Sequence, residues 1–308
     1  MYIQFFPTFR CNESCSFCFN RGMSPVPDIG ISDFGRLVDI LAGEGIQEID
    51  ILGGEPTLHP DLISLIEIAS EKGRRVSMST NGSDIQSLIS LSEIFDRNVL
   101  TIGLSLNDKL IDNSMASYVH VHKPLLKSVC ASDRFLPESA ASFIAMPDIR
   151  YYAIFMDTLH SSDLRKCLSF PQFYRELQDL RGKHENIEGV YCSCFLPDID
   201  NYPLLEGVRC PAGTTKLSVM PDGSTYPCYL LFRRPEFKLG NILIDDIDQI
   251  LKNPVLAFFR HFKKNNCLDS ACEHFSRCRG GCPAVSLMVC GDLNAPDPRC
   301  CQQPLQHQ

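Results

Sequence analysis

A chain of 308 residues with 44% apolar side chains is long enough for one large domain, or a large and a small one at roughly 100–200 residues each, and rich enough to bury a core. Its net charge of −8 is spread without long runs of one sign, which sets aside non-specific nucleic-acid binding as the main activity; the cluster Arg260-His261-Phe262-Lys263-Lys264 reads as a solvated helix end. No segment reaches the 18 or so consecutive apolar residues of a membrane span, and Met1 leads into a strand pattern rather than a signal peptide, so a cytoplasmic protein with no membrane partner is expected.

Taken in chain order, Tyr2–Phe6 is an apolar run expected to be a first strand, and directly after it Cys11, Cys15 and Cys18 share one loop. Ser32 is placed to cap a helix whose apolar positions Phe34, Leu37, Val38 and Leu41 follow helical spacing, with Gly43 and Gly45 ending it. Strands over Ile46–Leu52, Arg75–Ser79 and Val99–Leu104 then alternate with helices over Asp61–Lys72 and Asp84–Phe95. Alternation of this length predicts βαβ units and a parallel sheet, and in an α/β barrel the reacting groups gather at the C-terminal ends of the strands. Beyond Asn113 the pattern is weaker. Lys123–Cys130 and Phe173–Leu180 read as helices, and Ser142–Met146, Tyr151–Met156 and Ile187–Tyr191 as strands, which completes a partial (β/α)6 TIM-like barrel over residues 1–200. Over residues 201–308 a small cysteine-rich domain is expected. Its Leu217–Met220 segment and Pro221-Asp222-Gly223 turn predict a β-hairpin with Cys210 and Cys228 at its ends, followed by a helix over Asp246–Leu251.

Sixteen cysteines are the anomaly. In a reducing compartment they read as metal ligands or redox thiols rather than disulfides. Three lie near the N-terminus, Cys130 and Cys167 stand apart and read as buried thiols, and eleven fall between Cys192 and Cys301. Three thiolates leave a four-iron cluster one ligand short, and an uncovered metal position is the mark of a catalytic rather than a structural site. A zinc-binding loop is the alternative reading of that motif alone. The strand ends that follow are polar. Gly53-Gly54-Glu55-Pro56 offers close backbone approach to a ligand, a carboxylate for an ammonium, and a proline suited to a helix start. Thr80-Asn81-Gly82 and Ser105-Leu106-Asn107-Asp108 follow the next two strands and, by themselves, read equally as turns or caps. His120, His122 and His160 are candidate substrate contacts, but as lone histidines they read first as surface or hydrogen-bonded structural residues.

The C-x3-C-x2-C spacing of Cys11, Cys15 and Cys18, with Phe17 before the last thiol, resembles the cluster loop of the radical S-adenosylmethionine (SAM) enzymes, and the Gly-Gly-Glu-Pro motif one βα unit later is similar to the one with which that family holds the methionine amino group. The resemblance implies a SAM-binding cluster on Cys11, Cys15 and Cys18. It also implies a SAM site lined by Phe17, Gly53, Gly54, Glu55, Pro56, Thr80, Asn81 and Ser105. The C-terminal cysteines resemble the SPASM extension of that family, in the Gly223–Cys228 relation, the dense group Cys272, Cys278 and Cys282, and a last Cys300. That extension usually houses two auxiliary 4Fe-4S clusters. Carried over, the first rests on Cys210, Cys228 and Cys282 with either Cys192 or Cys194, and the second on Cys267, Cys272, Cys278 and Cys300. Here the sequence departs from the pattern: Asp269 stands where the dense group's first Cys belongs, so either Cys267 from two residues further away or Asp269 itself is the ligand. Cys301 is a spare beside Cys300, and Cys290 reads as unligated.

What the resemblance implies is an enzyme with three 4Fe-4S clusters that cleaves SAM to a 5'-deoxyadenosyl radical and takes hydrogen from a substrate. The expected substrate is a peptide or protein undergoing oxidative modification or crosslinking, with an auxiliary cluster accepting the leftover electron. The expected partners are a reductase, flavodoxin or ferredoxin as electron donor. With the cluster loop only ten residues in, a separate recognition protein or the barrel itself would read the peptide. Tyr229 follows Cys228 where sulfatase-maturing members carry an acidic base, which sets that subfamily aside. Oxidation of a small molecule such as a tetrapyrrole is the alternative among enzymes. A non-catalytic iron-sulfur or zinc-binding module is the alternative outside them, although this chain keeps both the three-thiol loop and Glu55. The sequence does not identify a catalytic acid or base.

Overall fold

The computed structural model describes residues 1–107, 109–190, 208–261, 267 and 278–300. Its first part alternates β1 (Tyr2–Phe5), α1 (Ile31–Gly43), β2 (Glu48–Ile51), α2 (Leu62–Glu71), β3 (Arg75–Thr80), α3 (Ile85–Ile94), β4 (Leu100–Ser105), α4 (Asn113–His122), β5 (Leu125–Cys130), α5 (Glu138–Ala141), β6 (Tyr151–Phe155), α6 (Phe170–Arg181) and β7 (Ile187–Val190). The seven strands pair side by side in sequence order, every pair parallel. Each βα unit carries its helix back across the sheet, so one face of every strand is covered with apolar side chains. Phe5 meets Phe34 of α1 with ring centroids 5.3 Å apart, and Ile3, Ile49, Ile51, Val76, Met78 and Leu104 are buried in the same core.

The opposite face is polar. In register across it lie Gln4, Asp50, Ser77 and Thr101, with Ser77 Oγ donating to Asp50 Oδ1 at 2.9 Å. A full α/β barrel fills this space with branched apolar side chains; here the inner wall is a chamber lined by hydrogen-bonding groups.

The second part adds β8 (Lys216–Val219), β9 (Ser224–Tyr226), β10 (Gly240–Asn241), α7 (Ile247–Leu251), α8 (Leu256–Arg260) and α9 (Pro283–Cys290). The predicted hairpin is present as β8 and β9, antiparallel, but β8 also pairs in parallel with β1, Tyr2 opposite Lys216 and Phe5 opposite Val219. The two parts therefore share one ten-stranded sheet, ordered β10-β9-β8-β1-β2-β3-β4-β5-β6-β7. Among the described residues its edges, β10 and β7, do not meet, and the barrel is open.

Three local expectations change. Lys123–Cys130 is not a helix: Lys123 ends α4 in the left-handed region at φ 43°, and Leu126, Ser128 and Cys130 are buried on alternate positions of β5. A six-residue segment such as Leu125–Cys130 is ambiguous between the two periods, and the neighbouring strands decide it. Ser142–Met146 is not a strand but the turn that follows α5, with Phe143 and Ile144 N–H groups returning to the Ala140 carbonyl and both side chains buried. Ser32 lies inside α1, whose cap is Gly30. Tyr191 and the expected domain boundary at 200/201 fall outside the described residues. Among the described residues no helix is long and apolar enough to cross a membrane.

Candidate functional site

The three-thiol loop leaves β1 at the C-terminal end of the sheet and is tied down by the turn after β2. Gly54 N–H donates to the Thr8 carbonyl at 2.9 Å and Glu55 N–H to the Arg10 carbonyl at 2.8 Å. Gly53 sits at φ +136°, and a Cβ there would lie 2.5 Å from the Thr8 oxygen; one on Gly54 would run into the Arg10 carbonyl. The close approach that these glycines permit is thus to the loop's own backbone. On the far side Asn12 donates to Ser83 Oγ at 2.7 Å, Asn81 Nδ2 donates to Asn12 Oδ1 at 2.9 Å, and Glu13 pairs with Lys109. Phe17 packs partly buried against the core.

Within the loop Cys11 is exposed while Cys15 and Cys18 are half-buried. Burial pushes the Cys15 thiol up to about 11, and Glu13, Cys18 and Cys11 push it the same way; burial likewise raises Cys18, with Cys11 adding to it. Cys11 and Cys18 are thus near enough to Cys15 to disfavour its charge. Metal ligation takes the thiolate form, so binding to this loop would displace the thiol protons.

Glu55 is fully buried and its carboxylate is a bracket. Oε1 accepts from Thr57 N–H at 3.1 Å, Thr57 Oγ1 at 2.8 Å and Thr80 Oγ1 at 2.7 Å, and Oε2 accepts from Asn81 N–H at 2.7 Å. Four donors match the roughly four acceptor positions of a carboxylate. The predicted residues Glu55, Thr80 and Asn81 are brought together, as parts of one hydrogen-bonded strut that joins the ends of β2 and β3. Pro56 opens the short 3-10 turn Pro56–Leu58 with Glu55 as its cap. Ser105 ends β4, half-buried and in register with Lys127.

Lys127 is the residue that sequence reasoning missed, hidden in a run that reads as a helix. From β5 it reaches into the chamber and its Nζ donates to Ser79 Oγ. Burial lowers its pKa to about 8, against the pull of Asp50 and Glu55. Asp50 is raised by its own burial, opposed by Lys127, Ser77, Gln4 and Lys216. At the end of β6, Asp157 is raised by burial, opposed by Arg299 and by the Tyr229 hydroxyl, which donates to Asp157 Oδ2. Acids and bases perturbed in this way around one chamber are characteristic of sites that do chemistry.

The second set of thiols lies beside the chamber. Cys210, Cys228 and Cys282 are 4%, 3% and 1% exposed. Cys228 is pushed up to about 12, first by burial and then by Cys210 and Cys282, while Lys216 lowers it. Cys278 is buried, Cys267 and Cys300 are half-buried, and Cys290 is exposed. Cys192, Cys194, Asp269, Cys272 and Cys301 lie outside the described residues. Two arginines brace this region. Arg209 Nε donates to the Gly281 carbonyl at 2.8 Å, and its terminal nitrogens reach Gly280, Leu293, Ala295 and Ser286. Buried Arg299 forms a fork on Asp297 at 3.0 and 2.7 Å, donates to the Met156 carbonyl at 2.8 Å and lies 4.7 Å from the Phe155 ring centroid. Asp297 in turn accepts from Cys282 N–H at 2.9 Å.

Cys130 and Cys167 are buried thiols as expected. His120, His122 and His160 stay away from the site: His120 packs edge-on against Phe143, His122 stacks on Tyr118, and exposed His160 caps the 3-10 helix Ser161–Lys166. Among the described residues no group of three or more His, Cys, Asp or Glu side chains is arranged to hold a single metal ion. What the thiol sets offer is soft donors in threes, which suits iron-sulfur clusters.

Comparison with known proteins agrees with this arrangement. A model of the radical SAM superfamily matches residues 5–110, and a model of the SPASM iron-sulfur cluster-binding domain matches residues 210–282. The mycofactocin maturase MftC of Mycobacterium ulcerans is 26% identical over 325 residues, covering 96% of this chain and 86% of that one. The PqqA peptide cyclase of Methylorubrum extorquens is 22% identical over 335 residues, covering 97% and 84%. The structure of Streptococcus suis SuiB bound to S-adenosylmethionine has the same fold, with a TM-score of 0.73 at 18% identity over 97% of this chain and 76% of that one.

Proposed function

The chain is a radical SAM protein with a SPASM iron-sulfur cluster-binding domain, and from that premise we propose that it oxidatively modifies or crosslinks a peptide. The reading is carried by one observation: the three-thiol loop is clamped by Gly53, Gly54 and the Glu55 strut over the C-terminal mouth of an open, polar-walled barrel. Residues 1–200 form the catalytic barrel and residues 201–308 the cluster-bearing extension.

Iron-sulfur clusters and SAM are the cofactors; when bound they supply a hydrogen-abstracting 5'-deoxyadenosyl radical. Cys11, Cys15 and Cys18 hold the SAM-binding cluster. Cys210, Cys228 and Cys282 hold a first auxiliary cluster with Cys192 or Cys194, and Cys267 (or Asp269), Cys272, Cys278 and Cys300 hold a second, making three clusters of the 4Fe-4S type. Phe17, Gly53, Gly54, Pro56 and Ser105 line the SAM site together with the strut of Glu55, Thr80 and Asn81. The chamber wall supplies Lys127 and Asp50 to orient polar groups. A peptide substrate is supported by two similar proteins, the PqqA peptide cyclase and SuiB, whose structure is known bound to precursor peptide SuiA. A flavodoxin, ferredoxin or dedicated reductase supplies the electron, and a separate recognition protein or the barrel itself reads the peptide.

The test uses protein purified and reconstituted without oxygen. About twelve irons per chain, on four per cluster, and 5'-deoxyadenosine formed from SAM with a strong reductant are expected, and a peptide library then shows loss of two hydrogens by mass spectrometry. Stoichiometric zinc with no SAM cleavage would overturn the reading.

A further inference from the structure

Arg233 follows the 3-10 turn Tyr229–Leu231, which itself follows Cys228, yet its side chain ends on the N-terminal cysteine loop. Nη1 donates to the Phe19 carbonyl at 2.7 Å and Nη2 to the Arg21 carbonyl, so one guanidinium grips the backbone just after Cys18 at two points. The grip has a rigid base. Tyr229 meets Phe19 edge-on with centroids 4.8 Å apart, and Phe232 meets Phe6 at 5.0 Å.

The charges around this turn are unequal. Arg21 also lies here, with Nε on the Cys18 carbonyl at 3.2 Å, but its charge is balanced by Asp163, to both oxygens of which Nη2 donates at 3.1 Å. Asp163 is itself held by the Leu159 and His160 N–H groups at 3.0 and 3.1 Å. Among the described residues no carboxylate lies within ion-pair distance of Arg233. An ionised Cys18 would favour its charge, which burial and Arg21 disfavour. A half-buried guanidinium fixed on the Phe19 and Arg21 carbonyls, with no carboxylate at ion-pair distance among the described residues, places a positive charge beside the turn that carries Cys18.

Resting on the function proposed above, we propose that Arg233 is a positioning residue of the SAM-binding cluster, through which the SPASM segment holds the Cys18 turn and raises that cluster's reduction potential. One-electron reduction adds one negative charge and moves no atoms, and a fixed cation nearby favours the more negative state. The same residue ties the first cluster to the segment carrying Cys228, so the two cluster sites are mechanically continuous.

The test is a redox titration of the reconstituted full-length protein followed by electron paramagnetic resonance. The first cluster is identified as the signal that SAM perturbs and C18A lacks. R233Q, which keeps donors but loses charge, and R233M are expected to bind iron and to show at least a tenfold less favourable reduction equilibrium, a fall of about 59 mV for a one-electron couple. R233K is expected to recover most of the potential. Loss of the first cluster alone, with auxiliary iron and melting temperature kept, also supports the proposal. An unchanged potential in R233Q overturns it, as does a general loss of iron and fold in every variant, which would make Arg233 structural only. Failure of the wild-type chain to take up iron or bind SAM would instead remove the function on which this inference rests.

Discussion

Glu55 offers a decisive comparison between a strut and a ligand. Replacing it with Ala removes the acceptor for four donors, two of which, Thr57 N–H and Asn81 N–H, are backbone groups that cannot turn away. At about 1–3 kcal/mol for each unsatisfied buried donor, the backbone pair alone costs about 2–6 kcal/mol. Relief from burying a carboxylate offsets part of this, leaving a net loss of roughly 3 kcal/mol. Gln is subtler. Its carbonyl oxygen can replace Oε1 and its three bonds, but its amide NH2 then meets Asn81 N–H donor to donor, where Oε2 accepts at 2.7 Å. One charge-assisted bond is lost, roughly 1.5–3 kcal/mol. At about 2 °C per kcal/mol for a chain of this size, E55A should melt about 6 °C below wild type and E55Q about 3–6 °C below. Circular dichroism of the reconstituted proteins measures the melts, and equilibrium SAM binding is measured on the same samples at a temperature where all are folded. Wild-type melting in both variants, with SAM binding alone weakened, would refute the strut and make Glu55 a direct ligand.

The remaining expectations are simpler to score. C18A should abolish 5'-deoxyadenosine formation while auxiliary iron remains, whereas C228A should lose about four irons and keep the SAM-binding cluster; iron analysis and product chromatography distinguish them, and an unchanged iron count in C228A would refute its assignment. R299M leaves the Asp297 carboxylate buried without its guanidinium, a change that costs about 3–5 kcal/mol. Its melt should fall by at least 6 °C at about 2 °C per kcal/mol, and a shift under 2 °C would show that the fork contributes little. Lys127 is lowered to about 8 in the folded chain against about 10.4 in the unfolded one. Between those values the unfolded state binds the extra proton, so this residue's contribution to stability rises as pH rises from about 8 to 10.4 and is flat below. Melting temperature against pH should therefore climb more steeply over that window in wild type than in K127M, and parallel curves would count against it.

The first third of the barrel was legible because its information is local. Helical spacing at Phe34, Leu37, Val38 and Leu41, alternation in the early strands, and polar turns after β1, β2, β3 and β4 each specify an element within a dozen residues, and the C-x3-C-x2-C spacing places three thiols in one loop whatever else the chain does. The run Leu125–Cys130 was misread because six residues satisfy either period until neighbouring strands claim their edges. The functions of single residues were less legible still. That Gly53 and Gly54 pack on the Thr8–Arg10 backbone, and that Thr57, Thr80 and Asn81 hold the Glu55 carboxylate, shows only in the fold.

Sequence by itself determined the thiol spacing and the alternation of strands and helices, and its resemblance to the radical SAM enzymes set the chemistry to expect. Only tertiary structure decided which groups face the chamber, how far burial moves Lys127, Asp50 and Asp157, and that Arg233 reaches the Cys18 turn from 214 residues away. The physical reason is that periodicity and turn chemistry act between near neighbours along the chain, whereas electrostatic environment and backbone anchoring depend on strand register, here the parallel pairing of β8 with β1 that brings the two cysteine systems to one sheet.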